Sequence, residues 1–237
     1  MKKDEVCAII REVAIIPAIR VSSGADAHFA AEAVCRGGIP IVEITMTVPG
    51  AVQLIAHLAR HDPKTIVGAG TVLDVDTARR CLDAGASFLT APECYLEVVH
   101  FAAKQNVAVL PGALTPTEVA AAWRSGADFV KVFPCSLVGG EKYIKALHTA
   151  LPQIPLIAAG GVNQLTAANF IISGATVIGV GTELIPTEAI ARRQPQRIRE
   201  LALRFVGFVK EARERVEEIK RNTVAEKYDE TEKCEGQ

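Results

Sequence analysis

The sequence predicts an α/β protein of the (β/α)₈ (TIM) barrel class, and three observations lead to this fold. Short Val/Ile-rich runs alternate with Ala-rich amphipathic stretches, a pattern typical of βαβ units in a parallel sheet. Eight such runs fit within 237 residues, close to the roughly 250 residues of a closed barrel. Gly-Ala also recurs before three of the runs, at Gly85, Gly126 and Gly174, where glycine would end a helix in a left-handed cap.

The predicted strands and helices follow one another along the chain. The strands, apolar runs bounded by small or polar residues, cover 14–19, 39–45, 66–69, 88–90, 107–110, 129–133, 156–159 and 177–180. The helices lie near 25–36, 49–61, 74–84, 95–105, 116–125, 141–151 and 164–173, with an extra N-terminal helix and a final one over 195–221. We expect one barrel domain over residues 1–223. Residues 224–237 are polar and aperiodic, which predicts a mobile, disordered tail.

Composition and charge exclude several classes of partner. Hydrophobic residues make up 49% and aromatics 5%, so the core would consist mainly of Ala, Val, Ile and Leu, as in barrel interiors. The formal net charge of -1 predicts no general attraction to nucleic acid or to an anionic membrane. No apolar stretch reaches the roughly 20 residues of a membrane span. The apolar runs near the N-terminus are cut by charges, unlike an export signal, and the six cysteines are scattered, so we expect a cytoplasmic protein with reduced thiols.

Three charged residues interrupt or end strands that should be apolar. Arg20 follows the first strand, Glu43 lies within the second, and Lys131 lies within the sixth. Barrel strands are buried on both faces, so a charge there is costly and needs a reason. All three lie near the carboxyl ends of their strands, where barrel enzymes assemble their active sites.

Lys131 is the candidate nucleophile. Strand alternation places Phe129, Lys131 and Phe133 on one face, and desolvation between two aromatic rings would disfavour the ammonium form. The neutral amine is the form that attacks a ketone to give a Schiff base. The alternative is a structural lysine, whose stem is buried and whose ammonium reaches water or pairs with Glu43.

Glu43 is the candidate acid and base. Schiff-base formation and carbon–carbon cleavage both require proton relays, and a carboxylate held in an apolar site suits that task. The alternative is a structural ion pair with Arg20 or with Lys131.

Glycine-rich turns close the seventh and eighth strands, at Gly160-Gly161 and at Gly179–Thr182. Many barrels bind a substrate phosphate on backbone N–H groups of these two loops. Gly160, Gly161, Gly181 and Thr182 are therefore candidate phosphate ligands, although tight-turn geometry alone could require the glycines.

Two further positions follow strands. Thr71 could donate a hydrogen bond to a substrate carboxylate or cap the following helix, and Pro92 is expected to shape the rim of the substrate site. The five histidines fall in helical stretches, and no set of His, Asp and Glu has metal-ligand spacing, so no metal is expected.

The sequence resembles the 2-keto-3-deoxy-6-phosphogluconate / 4-hydroxy-2-oxoglutarate aldolases, which are class I, Schiff-base enzymes. The resemblance runs from about Val13 to Pro186. It is carried by IVEIT at 41–45, GAGTV at 68–72, VKVFP at 130–134, GGV at 160–162 and GVG at 179–181.

The resemblance implies cleavage of a substrate to pyruvate and an aldehyde, either glyceraldehyde 3-phosphate or glyoxylate. It implies Lys131 as the imine-forming residue and Glu43 as acid and base. The expected substrate contacts are Arg20 and Thr71 near the pyruvyl carboxylate, Pro92, Phe133 beside the site, and Gly160, Gly161, Gly181 and Thr182 at the phosphate. A homotrimer that needs no metal or other cofactor is also implied.

The chain departs from the family pattern at three places, one of which is Cys135-Ser136 after Phe133-Pro134, where Ala or Gly and often Glu are common. Thr47 stands where many members carry Arg, so Arg20 is expected to take over that anion-binding work, and Ala158-Ala159 replaces the usual Pro-Thr before Gly-Gly. Because that Thr hydroxyl contacts substrate, its loss leaves stereoselectivity open. Two other functions remain as alternatives: a phosphate-binding barrel isomerase or synthase, and a non-catalytic barrel that keeps the fold.

Overall fold

The structure is a computed structural model that describes the backbone of residues 1–235 and the side chains of residues 1–222. Nine strands form one parallel sheet in the order β5-β4-β3-β2-β1-β9-β8-β7-β6. They are β1 (Ile15–Ile19), β2 (Ile41–Thr45), β3 (Ile66–Gly70), β4 (Phe88–Thr90), β5 (Ala108–Leu110), β6 (Gly112–Ala113), β7 (Val130–Val132), β8 (Leu156–Ala159) and β9 (Ala175–Val180).

The sheet closes into a barrel because β5 and β6 are two halves of one strand. Only Pro111 separates them, and proline has no N–H to continue a ladder. The Pro111 carbonyl still accepts a hydrogen bond from Lys131 N at 2.9 Å, which joins this strand to β7. Counted this way, eight parallel strands form the ring, and the predicted (β/α)₈ barrel is confirmed.

Helices alternate with the strands and cover the barrel. They are α1 (Lys3–Val13), α2 (Gly24–Arg36), α3 (Ala51–His61), α4 (Val75–Asp83), α5 (Leu96–Lys104), α6 (Pro116–Arg124), α7 (Glu141–Ala150), α8 (Ala167–Ile172), α9 (Thr187–Ala191) and α10 (Pro195–Glu235). Side-chain caps start several of them: Ser23 accepts from Asp26 N, Asp74 accepts from Thr77 N, and Thr115 begins a capping box. The predicted N-terminal helix is α1.

Three short elements and one helix end differ from the sequence prediction. The sequence did not indicate β6, α9 or a one-turn 3₁₀ helix at Cys135–Val138. Helix α10 begins at Pro195 as predicted but continues to Glu235, so the irregular tail expected from residue 224 is helical over 224–235. This segment is rich in Glu and Lys and contains no Gly or Pro before Gly236, so nothing in it stops a helix. Residues 236–237 lie outside the described chain.

The amino end of the barrel is closed and its carboxyl end is open. Lys3 on α1 forms a 2.7 Å ion pair with Asp128, just before β7, and the Arg11 guanidinium lies 4.5 Å from the centre of the Phe129 ring. Helix α1 is thereby fixed across the amino ends of the strands. Within residues 1–235, none of the helices combines the length and the hydropathy that crossing a bilayer requires.

Candidate active site

A cavity of about 410 Å³ opens at the carboxyl ends of the barrel strands. Eight of the predicted site residues line it: Arg20, Glu43, Lys131, Phe133, Gly160, Gly161, Gly181 and Thr182. Thr71 contacts one of these residues, whereas Pro92 does not line the cavity.

Lys131 enters the cavity from β7. Its side chain is 16% exposed, and its Nζ lies 3.9 Å from Glu43 Oε2 and 5.7 Å from the centre of the Phe133 ring. Among the described residues, the one hydrogen bond of the Lys131 side chain is a long one, 3.4 Å from Nζ to the Thr90 hydroxyl. The amine is thus largely buried but held loosely, which leaves it available to a substrate carbonyl.

Glu43 reaches the same point from the opposite wall. Strands β2 and β7 are four positions apart in a ring of eight, so their inward side chains meet across the lumen. The Glu43 side chain is 5% exposed and lies over Gly70, where any Cβ would fall inside its carboxylate. Gly70 therefore makes the space for the acid, a role that the sequence did not reveal. The alternative ion pair of Glu43 with Arg20 is not formed among the described residues.

Arg20 and Thr71 form a second polar group beside the lysine. The Arg20 guanidinium donates to Thr71 Oγ1 at 3.5 Å. Thr71 has φ of 60°, a left-handed conformation that is strained for a β-branched residue. A cation next to a hydroxyl is suited to bind a carboxylate. Thr47, where the resemblance led us to expect Arg, shares a 2.7 Å hydrogen bond with Thr45. Among the described residues that line the cavity, the arginine is Arg20.

Thr90 is a site residue that the sequence analysis missed. It ends β4, is 3% exposed, and accepts the hydrogen bond from Lys131 Nζ. A polar residue at the carboxyl end of a barrel strand was the signal, but threonine is so common in strands that it did not stand out. Pro92, two residues later, packs its carbonyl against Gly112, where a Cβ would clash with it, and so shapes the turn after β4.

The glycine loops after β8 and β9 form the far wall. Gly160 and Gly161 have φ of 84° and 85°, a region that disfavours other residues. The Gly160 carbonyl accepts from Ser136 N at 3.1 Å and from Cys135 Sγ at 3.4 Å, which fixes the loop to the end of β7. Burial raises the pKa of the Cys135 thiol to about 11, so this sulfur is a neutral donor.

The sequence predicts no metal site near these residues. Among the residues that the structure describes, His, Cys, Asp and Glu side chains form no group of three suited to hold a metal ion.

A parallel barrel with a lysine, a carboxylate and glycine loops around one cavity places the chain among the (β/α)₈ enzymes. The chain belongs to the KDPG and KHG aldolase family, whose model matches residues 6–201. KDPG and KHG stand for 2-keto-3-deoxy-6-phosphogluconate and 4-hydroxy-2-oxoglutarate. The resemblance found in the sequence is therefore confirmed, and the protein is an aldolase.

Relatives and solved structures agree with this assignment. The 2-dehydro-3-deoxy-phosphogluconate aldolase of Pseudomonas aeruginosa is 32% identical over 191 residues, 81% of this chain and 87% of that protein. The 2-dehydro-3-deoxy-6-phosphogalactonate aldolase of Escherichia coli K12 is 34% identical over 187 residues, with 78% and 87% covered. The structure of Legionella pneumophila KDPG aldolase, with pyruvate captured as a covalent carbinolamine, has a TM-score of 0.77 at 28% identity and covers 83% of this chain and 96% of that one.

Proposed function

We propose that the protein is a class I aldolase that cleaves KDPG to pyruvate and glyceraldehyde 3-phosphate, KHG to pyruvate and glyoxylate, or both. The observation that carries the proposal is the approach of Lys131 Nζ to within 3.9 Å of Glu43 Oε2 inside the cavity. A buried amine and a carboxylate at this distance are able to act on two neighbouring atoms of one bound substrate.

The reaction begins at the substrate ketone. The Lys131 amine attacks carbon 2, and loss of water gives a protonated imine. Glu43 supplies and removes the protons of these steps, since its carboxylate is the acidic group nearest to Nζ. Arg20 and Thr71 hold the neighbouring carboxylate of the substrate.

Carbon–carbon cleavage follows from the imine. Glu43 takes the proton of the hydroxyl on carbon 4, the bond between carbons 3 and 4 breaks, and its electron pair moves into the imine to form an enamine. The aldehyde leaves, a proton is returned to carbon 3 to make the methyl group, and water releases pyruvate from Lys131. Because the protonated imine accepts the electron pair, the proposed mechanism uses no metal or other cofactor.

Trapping with borohydride tests the proposal. Incubation with pyruvate and borohydride should reduce the imine and add one pyruvate-derived group to the peptide that contains Lys131, as read by mass spectrometry. A folded protein without an adduct would favour a phosphate-binding isomerase or synthase, or a non-catalytic barrel. An adduct on another lysine would contradict the role of Lys131.

Three further features belong to the proposal. We infer a homotrimer, as the family resemblance implies, which light scattering would test as a particle of three times the chain mass. Activity that is unchanged after dialysis against a chelator would support the absence of a metal. We also infer a cytoplasmic location, and fractionation of cells that express the protein would test it.

A further inference from the structure

Three polar or charged side chains are buried among the residues whose side chains the structure describes: Glu43, Thr45 and Thr90. Thr45 is bonded within the protein, since its hydroxyl donates to the Ile19 carbonyl at 3.1 Å and shares a 2.7 Å hydrogen bond with the Thr47 hydroxyl. Glu43 and Thr90 instead line the cavity. Because buried polar groups usually have hydrogen-bond partners, a buried hydroxyl that is only partly bonded needs an explanation.

Thr90 has a fixed place on β4. Its carbonyl accepts from Val72 N at 3.1 Å, and the residue pairs with Leu110 of β5. Phe88, two residues earlier on the same face of the strand, is fully buried over Gly68, where a Cβ would clash with its ring. The Thr90 side chain therefore points into the barrel, and its β-branched shape restricts the rotation that would carry the hydroxyl away.

The Thr90 hydroxyl has a hydrogen-bond donor to spare. Its oxygen accepts one long hydrogen bond, 3.4 Å, from Lys131 Nζ. A threonine hydroxyl donates one hydrogen bond as well, and among the described residues no acceptor takes this second bond. Thr90 is only 3% exposed, so its proton can meet little besides the contents of the cavity. The donor is thus placed to bind an oxygen atom of the substrate.

The oxygen on carbon 2 is the substrate atom within reach of this donor. When Lys131 attacks the ketone, Nζ and this oxygen become bonded to the same carbon, so a hydroxyl that contacts Nζ also lies beside the oxygen. Glu43 approaches Nζ from β2, on the opposite wall, whereas Thr90 lies on β4, two positions from β7 in the ring. The two groups therefore reach the reacting carbon from different strands.

We propose that the Thr90 hydroxyl is a third catalytic group, which donates a hydrogen bond to the oxygen on carbon 2 as Lys131 attacks and then to the carbinolamine hydroxyl. This inference rests on the proposed aldolase function and assigns a further residue to the same site. A donor aimed at an oxygen on which negative charge develops lowers the barrier to attack.

The proton of Thr90 stays on its own oxygen throughout. In the attack, the bond from Nζ to carbon 2 forms, the π electrons of the carbonyl move to its oxygen, and the proton that the amine loses passes to this oxygen by way of Glu43. A further proton from Glu43 then lets the hydroxyl leave as water, which gives the protonated imine. Thr90 holds the oxygen in position during both transfers.

Thr90→Val tests the inference with pyruvate alone. Valine keeps the branched shape and removes the hydroxyl, so proton exchange at the pyruvate methyl group, followed by NMR in deuterated water at saturating pyruvate, should slow by about 10- to 100-fold. Thr90→Ser restores a hydroxyl and should recover the rate to within roughly threefold of the wild type, the remainder reflecting freer rotation of serine. Exchange that Thr90→Val slows less than about twofold would overturn the inference.

Pyruvate also shows which oxygen the hydroxyl binds, because it has an oxygen on carbon 2 and no hydroxyl on carbon 4. If Thr90→Val slows cleavage of KDPG and KHG but leaves pyruvate exchange at the wild-type rate, Thr90 binds the aldehyde half of the substrate and the assignment to carbon 2 is wrong.

Thr45→Val is the matched control for a structural threonine. It removes a hydroxyl that is bonded to the Ile19 carbonyl, so its midpoint of urea denaturation should fall. The midpoint of Thr90→Val should stay level or rise, because the lost hydroxyl had a donor without a protein acceptor. A midpoint that falls as far in Thr90→Val as in Thr45→Val, with exchange per folded molecule unchanged, would make Thr90 a structural residue.

Borohydride trapping on the same preparations separates the two failures. If pyruvate modifies Lys131 in the wild type and exchange does not respond to Thr90→Val, only the role of Thr90 is wrong. If pyruvate leaves no adduct on the folded wild-type protein, the aldolase mechanism itself is wrong.

Discussion

Each end of the barrel carries a lysine that faces a carboxylate, and the two pairs are held differently. At the amino end, Lys3 Nζ lies 2.7 Å from Asp128 Oδ1, and Asp128 Oδ2 also accepts from Val109 N at 3.0 Å. At the carboxyl end, Lys131 Nζ lies 3.9 Å from Glu43 Oε2. The first pair is satisfied by its protein partners, whereas the second is buried and incompletely bonded.

This difference separates stability from chemistry within one fold. The satisfied pair joins α1 to β7 and closes the end of the barrel that commonly serves stability. The loose pair lies at the end where barrel enzymes carry out their reactions. Buried polar groups usually find full hydrogen bonding, so a loosely bonded amine in a cavity indicates a place kept for a substrate.

Removing the catalytic amine should have the largest effect. Lys131→Ala is expected to lower turnover by more than about 10⁴-fold and to abolish the borohydride adduct, because no other lysine lines the cavity in the described chain. Circular dichroism should show a native fold. Lys3→Ala is the matched control at the other end of the barrel, and it should keep full adduct formation. Retro-aldol activity that persisted in Lys131→Ala would refute the Schiff-base mechanism.

Removing the charge of the buried acid should have the next largest effect. Glu43→Gln fills the space above Gly70 with a side chain of the same shape that no longer takes up a proton. Proton exchange at the pyruvate methyl group, followed by NMR in deuterated water, should slow by about 10²–10⁴-fold. Exchange at the wild-type rate would remove Glu43 from its role as base and make its contact with Lys131 structural.

Breaking the Lys3–Asp128 ion pair should lower the stability of the protein and leave its activity unchanged. Asp128→Ala removes the ion pair with Lys3 and leaves the buried Val109 N–H without its acceptor, so the free energy of unfolding should fall by about 1–3 kcal/mol. Urea denaturation would measure this loss, and kcat of the folded variant should stay within about twofold of the wild type. A large fall in kcat with unchanged stability would show that the amino end of the barrel also contributes to catalysis.

The sequence predicts the features that lie within a single strand better than those that need two strands to come together. Lys131 and Glu43 stood out because a charge within an apolar strand is rare, and the eight barrel strands stood out because they are buried on both faces. Thr90 did not, since its environment becomes unusual only when β4 and β7 are brought within reach of each other.

Other features depend on contacts between distant segments. Gly70 leaves space for Glu43 only because β2 and β3 lie side by side. The interruption of the fifth barrel strand at Pro111 is seen only once its two halves are paired, β5 with β4 and β6 with β7. The sequence prediction ends the last helix at residue 221 because the residues after it are polar and aperiodic, although their helix propensity is high and α10 continues to Glu235.

The smallest expected effect concerns a second nucleophile beside the site. Cys135 adjoins the lysine strand, yet burial raises the pKa of its thiol to about 11. At pH 8 the thiol lies below that pKa, so only about one part in a thousand is the reactive thiolate. Iodoacetamide should therefore leave the Cys135 peptide unmodified in the native protein and alkylate it in urea. Cys135→Ser, which keeps a donor toward the Gly160 carbonyl, should retain activity within a few-fold. Rapid alkylation of the native protein with loss of activity would instead show a reactive thiol at the catalytic end. Cys135 would then be a second candidate nucleophile beside Lys131.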